Sequence, residues 1–237
     1  MTRLHPLLLA PLLLASMPVL AADRTIGVGS FDRLRVDGPF EVRVTGGASP
    51  AARLTGEREA IDAVDLRVEG GTLIVRGGVN AWGERRADRR PAAAPIVVTL
   101  ATPALATVLS NGGARITVTA ARGDRIDLSV TGAGTIAVAQ AIASDLNAIV
   151  VGTGAITVAG RTARARLVAN GAGGIDAAGL EAGDALVRLE GVGAIKARAR
   201  YTAQLSNAGL GEIDVAGPAK CIIRGVSAGP VRCQGPR

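Results

Sequence analysis

Aromatic residues are nearly missing from this chain: Phe31, Phe40, Trp82 and Tyr201 make up 2% of it. Proteins that hold single strands by stacking successive bases need more flat side chains than that, so nucleic acid is disfavoured. Sugar-stacking platforms are limited in the same way. The one histidine, His5, falls among the first residues. If those are removed, no Ser-His-Asp set, histidine base or histidine metal ligand remains. Cysteine occurs only at Cys221 and Cys233, without the C-x-x-C spacing of redox and metal motifs. The N-terminal apolar run from Leu7 to Leu20, broken by Pro11 and Pro18, is too short to cross the ~30 Å of a bilayer core.

That run has another meaning. Arg3, the apolar stretch and the small residues before Ala22 describe a Sec-type signal peptide over residues 1–21, with cleavage expected after Ala21. A lipoprotein would need cysteine at the cut, and the first cysteine is Cys221. The mature protein is therefore expected in the periplasm or outside the cell, with no transmembrane span. In that oxidising setting Cys221 and Cys233 are expected to form one disulfide, a staple of roughly 3 kcal/mol for the C-terminal segment 220–237. The formal charge is +7, and loss of Arg3 leaves 26 basic and 20 acidic side chains, or +6. Such an excess steers acidic partners and keeps the chain soluble.

A repeat organises most of the remainder. Gly-x-Gly-x-Ile units end at Ile136, Ile156, Ile175, Ile195 and Ile213, and a variant with Ala114 at the second glycine ends at Ile116. The spacings run from 18 to 20 residues. Apolar residues alternate within each unit, as in Ile126, Leu128 and Val130, which signals short strands with one buried face. A unit of that size cannot bury its face alone, so successive units must stack. The glycine pairs Gly132 and Gly134, Gly152 and Gly154, Gly171 and Gly173, Gly191 and Gly193, and Gly209 and Gly211 are expected at the corners of the coils. Glycine takes positive φ and leaves no side chain to strike the corner above.

Other uses of the glycines fail on spacing. After Gly132 and Gly134 comes Thr135-Ile136-Ala137, not the third glycine of a dinucleotide loop or the Gly-Lys-Ser/Thr of a P-loop. A calcium β-roll needs aspartate in one column, whereas the residue after the isoleucine runs Thr117, Ala137, Thr157, Asp176, Lys196, Asp214. No cofactor or metal is called for. Upstream, FDRLRVDGPFEVRV reads as two strands joined at Asp37-Gly38-Pro39, and residues 79–94, rich in arginine and alanine, read as a mobile surface loop.

The opening FDRLRVDGPFEVRV, the stretch VTLATPALATVLSNGGARI and the repeat units through AGLGEIDVAGPA resemble the putative auto-transporter adhesin head GIN domain family over residues 31–219. The resemblance implies an exported bacterial domain, residues 22–219 here, folded as a right-handed parallel β-helix. The family's function is not established, and the motif's glycines and isoleucines are structural positions that assign no activity. The arginine-rich loop and the cysteine pair are not features of the family's pattern.

Three roles suit such a chain. A non-catalytic binding or adhesin-like module is favoured, with an anionic glycan, an envelope polymer or another surface protein as partner; Trp82 with Arg85, Arg86, Arg89 and Arg90 is the candidate contact. A polysaccharide-acting β-helix enzyme would need grouped carboxylates. Asp124, Asp127, Asp145, Asp176, Asp184, Glu190, Glu212 and Asp214 do not recur at one offset in the repeat, so no catalytic residue is assigned. A basic structural envelope protein is the third role, with Lys196, Arg198 and Arg200 expected along one exposed strand face.

Overall fold

The computed structural model describes residues 22–77 and 96–235. The expected signal peptide, the expected loop at 79–94, and with it Trp82, Arg85, Arg86, Arg89 and Arg90, lie outside the described residues. The chain begins with β1 (Ala22–Ile26), β2 (Arg33–Asp37), β3 (Glu41–Gly46) and β4 (Ala51–Gly56), then a short helix α1 (Arg58–Asp62). There follow β5 (Val64–Glu69), β6 (Thr72–Gly77), β7 (Val97–Thr102), β8 (Thr107–Gly112), β9 (Arg115–Val118), β10 (Ala121–Arg122) and β11 (Arg125–Gly132). The repeat region supplies β12 (Thr135–Gly152), β13 (Ala155–Gly171), β14 (Gly174–Asp176), β15 (Leu180–Gly191), β16 (Ala194–Asn207) and β17 (Glu212–Ala216). Two strands close the chain, β18 (Lys220–Ile223) and β19 (Val231–Cys233).

These strands stack into a β-solenoid. The repeat isoleucines set the register: Ile116, Ile136, Ile156, Ile175, Ile195 and Ile213 stand opposite one another in parallel strands and are buried. Val231 continues their column in β19. A second side stacks Val108, Leu128, Ala148, Leu167, Val187 and Leu205 inward. Long strands such as β12 bend, because inward alternation slips between Val138 and Ala141 and again before Leu146. At the corresponding bend of β13 the buried hydroxyl of Thr162 donates to the carbonyls of Ser144 and Arg164.

The glycine corners meet two separate demands, where the sequence suggests one. Gly132, Gly152, Gly171 and Gly191, the first of their pairs, take positive φ. Gly152 has φ +115°, and a Cβ there would stand 2.8 Å from the carbonyl oxygen of Gly132 in the coil before it. The expectation of positive φ needs correcting for the second of each pair. Gly134, Gly154, Gly173, Gly193 and Gly211 have no positive φ, and all five are buried. Their requirement is close approach alone. A Cβ on Gly154 would strike the Gly134 carbonyl, one on Gly173 the Gly154 carbonyl, and one on Gly193 the Gly173 carbonyl. These glycines thus face the interior and the coil before them, and cannot serve as surface contacts for a partner. Gly209 breaks the series of first glycines. Its φ is not positive, and buried Asn207 holds that corner, donating from Nδ2 to Gly211 and accepting from the Gly209 amide.

The N-terminal third departs from simple succession. β2 lies between β6 and β8, and β3 lies between β7 and β9. The turn Asp37-Gly38-Pro39 is thus a coil corner, with Gly38 at φ +128°. Beyond this coil the pairing becomes antiparallel, β1 with β4, β4 with β7 and β5 with β6. Ile61 of α1 is buried there. Antiparallel strands thus end the parallel stacking on that side.

At the other end Cys221 takes the inward place below Ala203, and Cys233 the place below Val215. Their disulfide, with Cα atoms 6.5 Å apart, ties two sides of the last coil across the interior. No later coil covers that end among the described residues. In urea unfolding, Gly154→Ala is expected to cost about 1–3 kcal/mol through overpacking. Gly27→Ala, with open space around it, should stay within about 0.5 kcal/mol. Reduction of the disulfide should lower the unfolding free energy by about 3 kcal/mol.

Candidate functional site

In-register stacking arranges outward side chains in columns along the solenoid. One column reads Arg125, Asp145, Arg164, Asp184, Thr202, Lys220. Arg164 donates to Asp145 from Nε at 2.6 Å and Nη2 at 2.7 Å, and Thr202 donates to Asp184 at 2.6 Å. The Arg164 guanidinium holds the Asp145 carboxyl below the usual carboxylate range, with a smaller push from Arg125. Asp127 is lowered chiefly by its hydrogen bonds from Arg125. A second column reads Asp176, Lys196, Asp214, Arg232.

These ladders bear on catalysis. Asp145 shares a column with Asp184, and Asp176 with Asp214, but a cation stands between the members of each pair. A general acid at neutral pH needs a raised pKa. Asp145 is shifted the other way.

The charged row expected along β16 is exposed as anticipated, since Lys196, Arg198 and Arg200 alternate with buried Ala197 and Ala199. Its members differ in surroundings, however. Lys196 stands in register between Asp176 and Asp214, whereas Arg198 and Arg200 line a groove of about 640 Å³ with Arg161, Glu181, Gly183 and Tyr201. Among the described residues, no ion pair engages Arg161, Arg198 or Arg200.

Tyr201 is 60% exposed, whereas Phe31 and Phe40 are buried. The Arg200 guanidinium sits 5.4 Å from the centroid of its ring. Gly183 makes room for that ring: a Cβ there would come 3.4 Å from it and 2.6 Å from the Ala163 carbonyl. Three guanidiniums and one carboxylate around an exposed ring can receive an anion by forked hydrogen bonds and offer a flat apolar surface beside it. Arg161 and Tyr201 were missed by sequence reasoning. One available signal is that Arg161 and Arg200 both lie five residues after a repeat isoleucine, Ile156 and Ile195.

No helix among the described residues is long and apolar enough to cross a membrane. The sequence matches the family model described as putative auto-transporter adhesin, head GIN domain, over residues 30–219. Among solved structures, a putative adhesin from Bacteroides fragilis NCTC 9343 is 19% identical with a TM-score of 0.78, covering 90% of this chain and 96% of its own. A putative adhesin from Parabacteroides merdae ATCC 43184 is 16% identical with a TM-score of 0.69, over 90% and 96%. A putative lipid binding protein from Parabacteroides distasonis ATCC 8503 is 17% identical with a TM-score of 0.67, over 90% and 97%. At these identities the likeness is one of fold. No curated protein matches the sequence significantly.

Arg164→Ala is expected to destabilise the fold slightly, less so in high salt, because the pair with Asp145 is exposed. The folded pKa of Asp145 is lowered, so the pair stabilises the fold above the ordinary carboxylate range and ceases to do so as pH falls through the lowered value. Thermal melts of both forms across pH and salt check this.

Proposed function

Because the chain belongs to the putative auto-transporter adhesin, head GIN domain family, we propose that it is an exported, non-catalytic surface-interaction module that binds an anionic glycan at the Arg161–Tyr201 groove. The observation that carries this reading is the cluster of Arg161, Arg198 and Arg200 with a single carboxylate, Glu181, around exposed Tyr201. The ligand must supply the missing negative charge.

The side-chain types narrow its chemistry. The chain has 25 arginines and two lysines, and a guanidinium fork matches a carboxylate or sulfate better than an ammonium does. Tyr201 gives a sugar ring a face to lie on and a hydroxyl to bond. Guanidiniums in the lining favour a polar ligand over a lipid chain. The Cys221–Cys233 disulfide fits an oxidising compartment outside the cytoplasm. The depressed pKa of Asp145 supports binding over carboxylate catalysis, as does the alternation of charge along the columns.

Residues 22–237 are expected to bind polygalacturonate and to ignore neutral dextran, with affinity falling as salt rises. The variant R161A/R198A/R200A should lose at least about tenfold, roughly 1.4 kcal/mol, with an unchanged urea midpoint. Y201A should weaken binding more than Y201F. Equal binding by wild type and the triple variant would remove the site.

A further inference from the structure

The Arg161 groove is not the only arginine-lined hollow on these coils. A second, of about 240 Å³, is lined by Arg166, Leu186, Arg188, Gln204, Ser206 and Arg224. No carboxylate lines it. Arg188 is held by Glu190 at 2.6 Å, Arg224 Nε donates to the side-chain Oε1 of Gln204 at 3.1 Å, and Arg166 has no ion pair among the described residues. Between the two hollows lies a third, of about 400 Å³, where Arg164 meets Asp145 and Asp184 meets Thr202.

The same three strands pass beneath all three hollows. β13 presents Arg161, then Arg164, then Arg166. β15 presents Glu181 and Gly183, then Asp184 and Leu186, then Arg188. β16 presents Arg198, Arg200 and Tyr201, then Thr202 and Gln204, then Ser206. The hollows therefore form one band running along the strands, across the solenoid axis, and turning the bend at Thr162. Its charge order is positive, compensated, positive. Arg161 and Arg166 are five residues apart, about 16 Å along a strand at 3.3 Å per residue.

We propose that this band is one extended site for a linear anionic polysaccharide. It rests on the reading of the Arg161 groove above. The Arg161 groove and Tyr201 engage one stretch of the chain, the compensated middle passes a stretch without a net charge demand, and Arg166, Arg188 and Arg224 engage a second anionic stretch. Both charged hollows lie on strand surfaces, so the site reads the interior of a polymer and needs no chain end. A ligand too short to reach both hollows gains nothing from the second. One that reaches both gains by effective concentration.

The test is an oligogalacturonate series from dimers to long oligomers, titrated against wild type, R161A/R198A/R200A and R166A/R188A/R224A, all as residues 22–237. Wild-type affinity is expected to rise at least about tenfold once oligomers span both hollows. The Arg166 set should leave short-oligomer affinity unchanged and flatten the rise; R166A alone should flatten it partly, should the triple variant fail to fold. A length dependence identical in wild type and the Arg166 set, or none in wild type, overturns the extended site and leaves the groove reading standing. Undiminished short-oligomer binding by the Arg161 set overturns the groove reading itself. Polyphosphate of matching length, which carries charge without sugar rings, should bind more weakly; equal or tighter binding overturns the polysaccharide assignment.

Discussion

Parallel backbone hydrogen bonding between coils holds each residue about 4.8 Å from its counterpart in the next, and most of the molecule follows from that spacing. Inside, each column must keep filling one interior, which the repeat isoleucines do from Ile116 to Ile213. At the corners, that spacing leaves no room for a Cβ against the carbonyl of the coil before, so glycine recurs in pairs. Outside, like charges would face each other at close range, and the columns answer by alternating sign. A coil skipped during stacking would set Arg125 against Arg164 and Asp145 against Asp184, so the alternation favours the correct order of near-identical units.

Features tied to this spacing were legible in the sequence. The fold class, the coil length and the glycine corners all follow from one motif and its period, and the disulfide from compartment and cysteine number. The motif did not distinguish the two glycines of a pair: Gly171 turns the chain while Gly173 lies buried against the coil before it, and both demands select the same residue. Outward columns were hidden because the coils differ in length by a residue or two, absorbed at bends such as Val138/Ala141 and Ala182/Asp184. Asp145 lies nine residues after its isoleucine, Arg164 eight and Thr202 seven, so a search at fixed offset sees no column where the structure has one. The last coil was hidden for a related reason. Val231 and Ser227 stand where isoleucine and the first glycine would, leaving Gly229 as the one remaining mark.

Charge is unevenly placed along the stack. Residues 22–77 hold eight basic and nine acidic side chains, whereas residues 160–235 hold ten and six. The excess thus belongs to the later coils, where both arginine-lined hollows lie. A net charge of +6 on residues 22–237 spread evenly would speak only of solubility; with four of those charges in excess on β13, β15 and β16, it gives an approaching polyanion a direction.

The placement of β2 and β3 bears on how the chain reaches this state. Most solenoids can grow coil by coil, each new unit docking on the one before. Here two of the earliest strands, Arg33–Asp37 and Glu41–Gly46, are flanked on both sides by strands made later. They cannot complete their pairing until residues as far as Val118 are available. The N-terminal third therefore closes over long sequence separations, which slows folding, while the coils after Ile136 need only their immediate neighbour. A chain of this design leaves its opening strands waiting with open edges, and the later coils have a platform to grow on only after that closure.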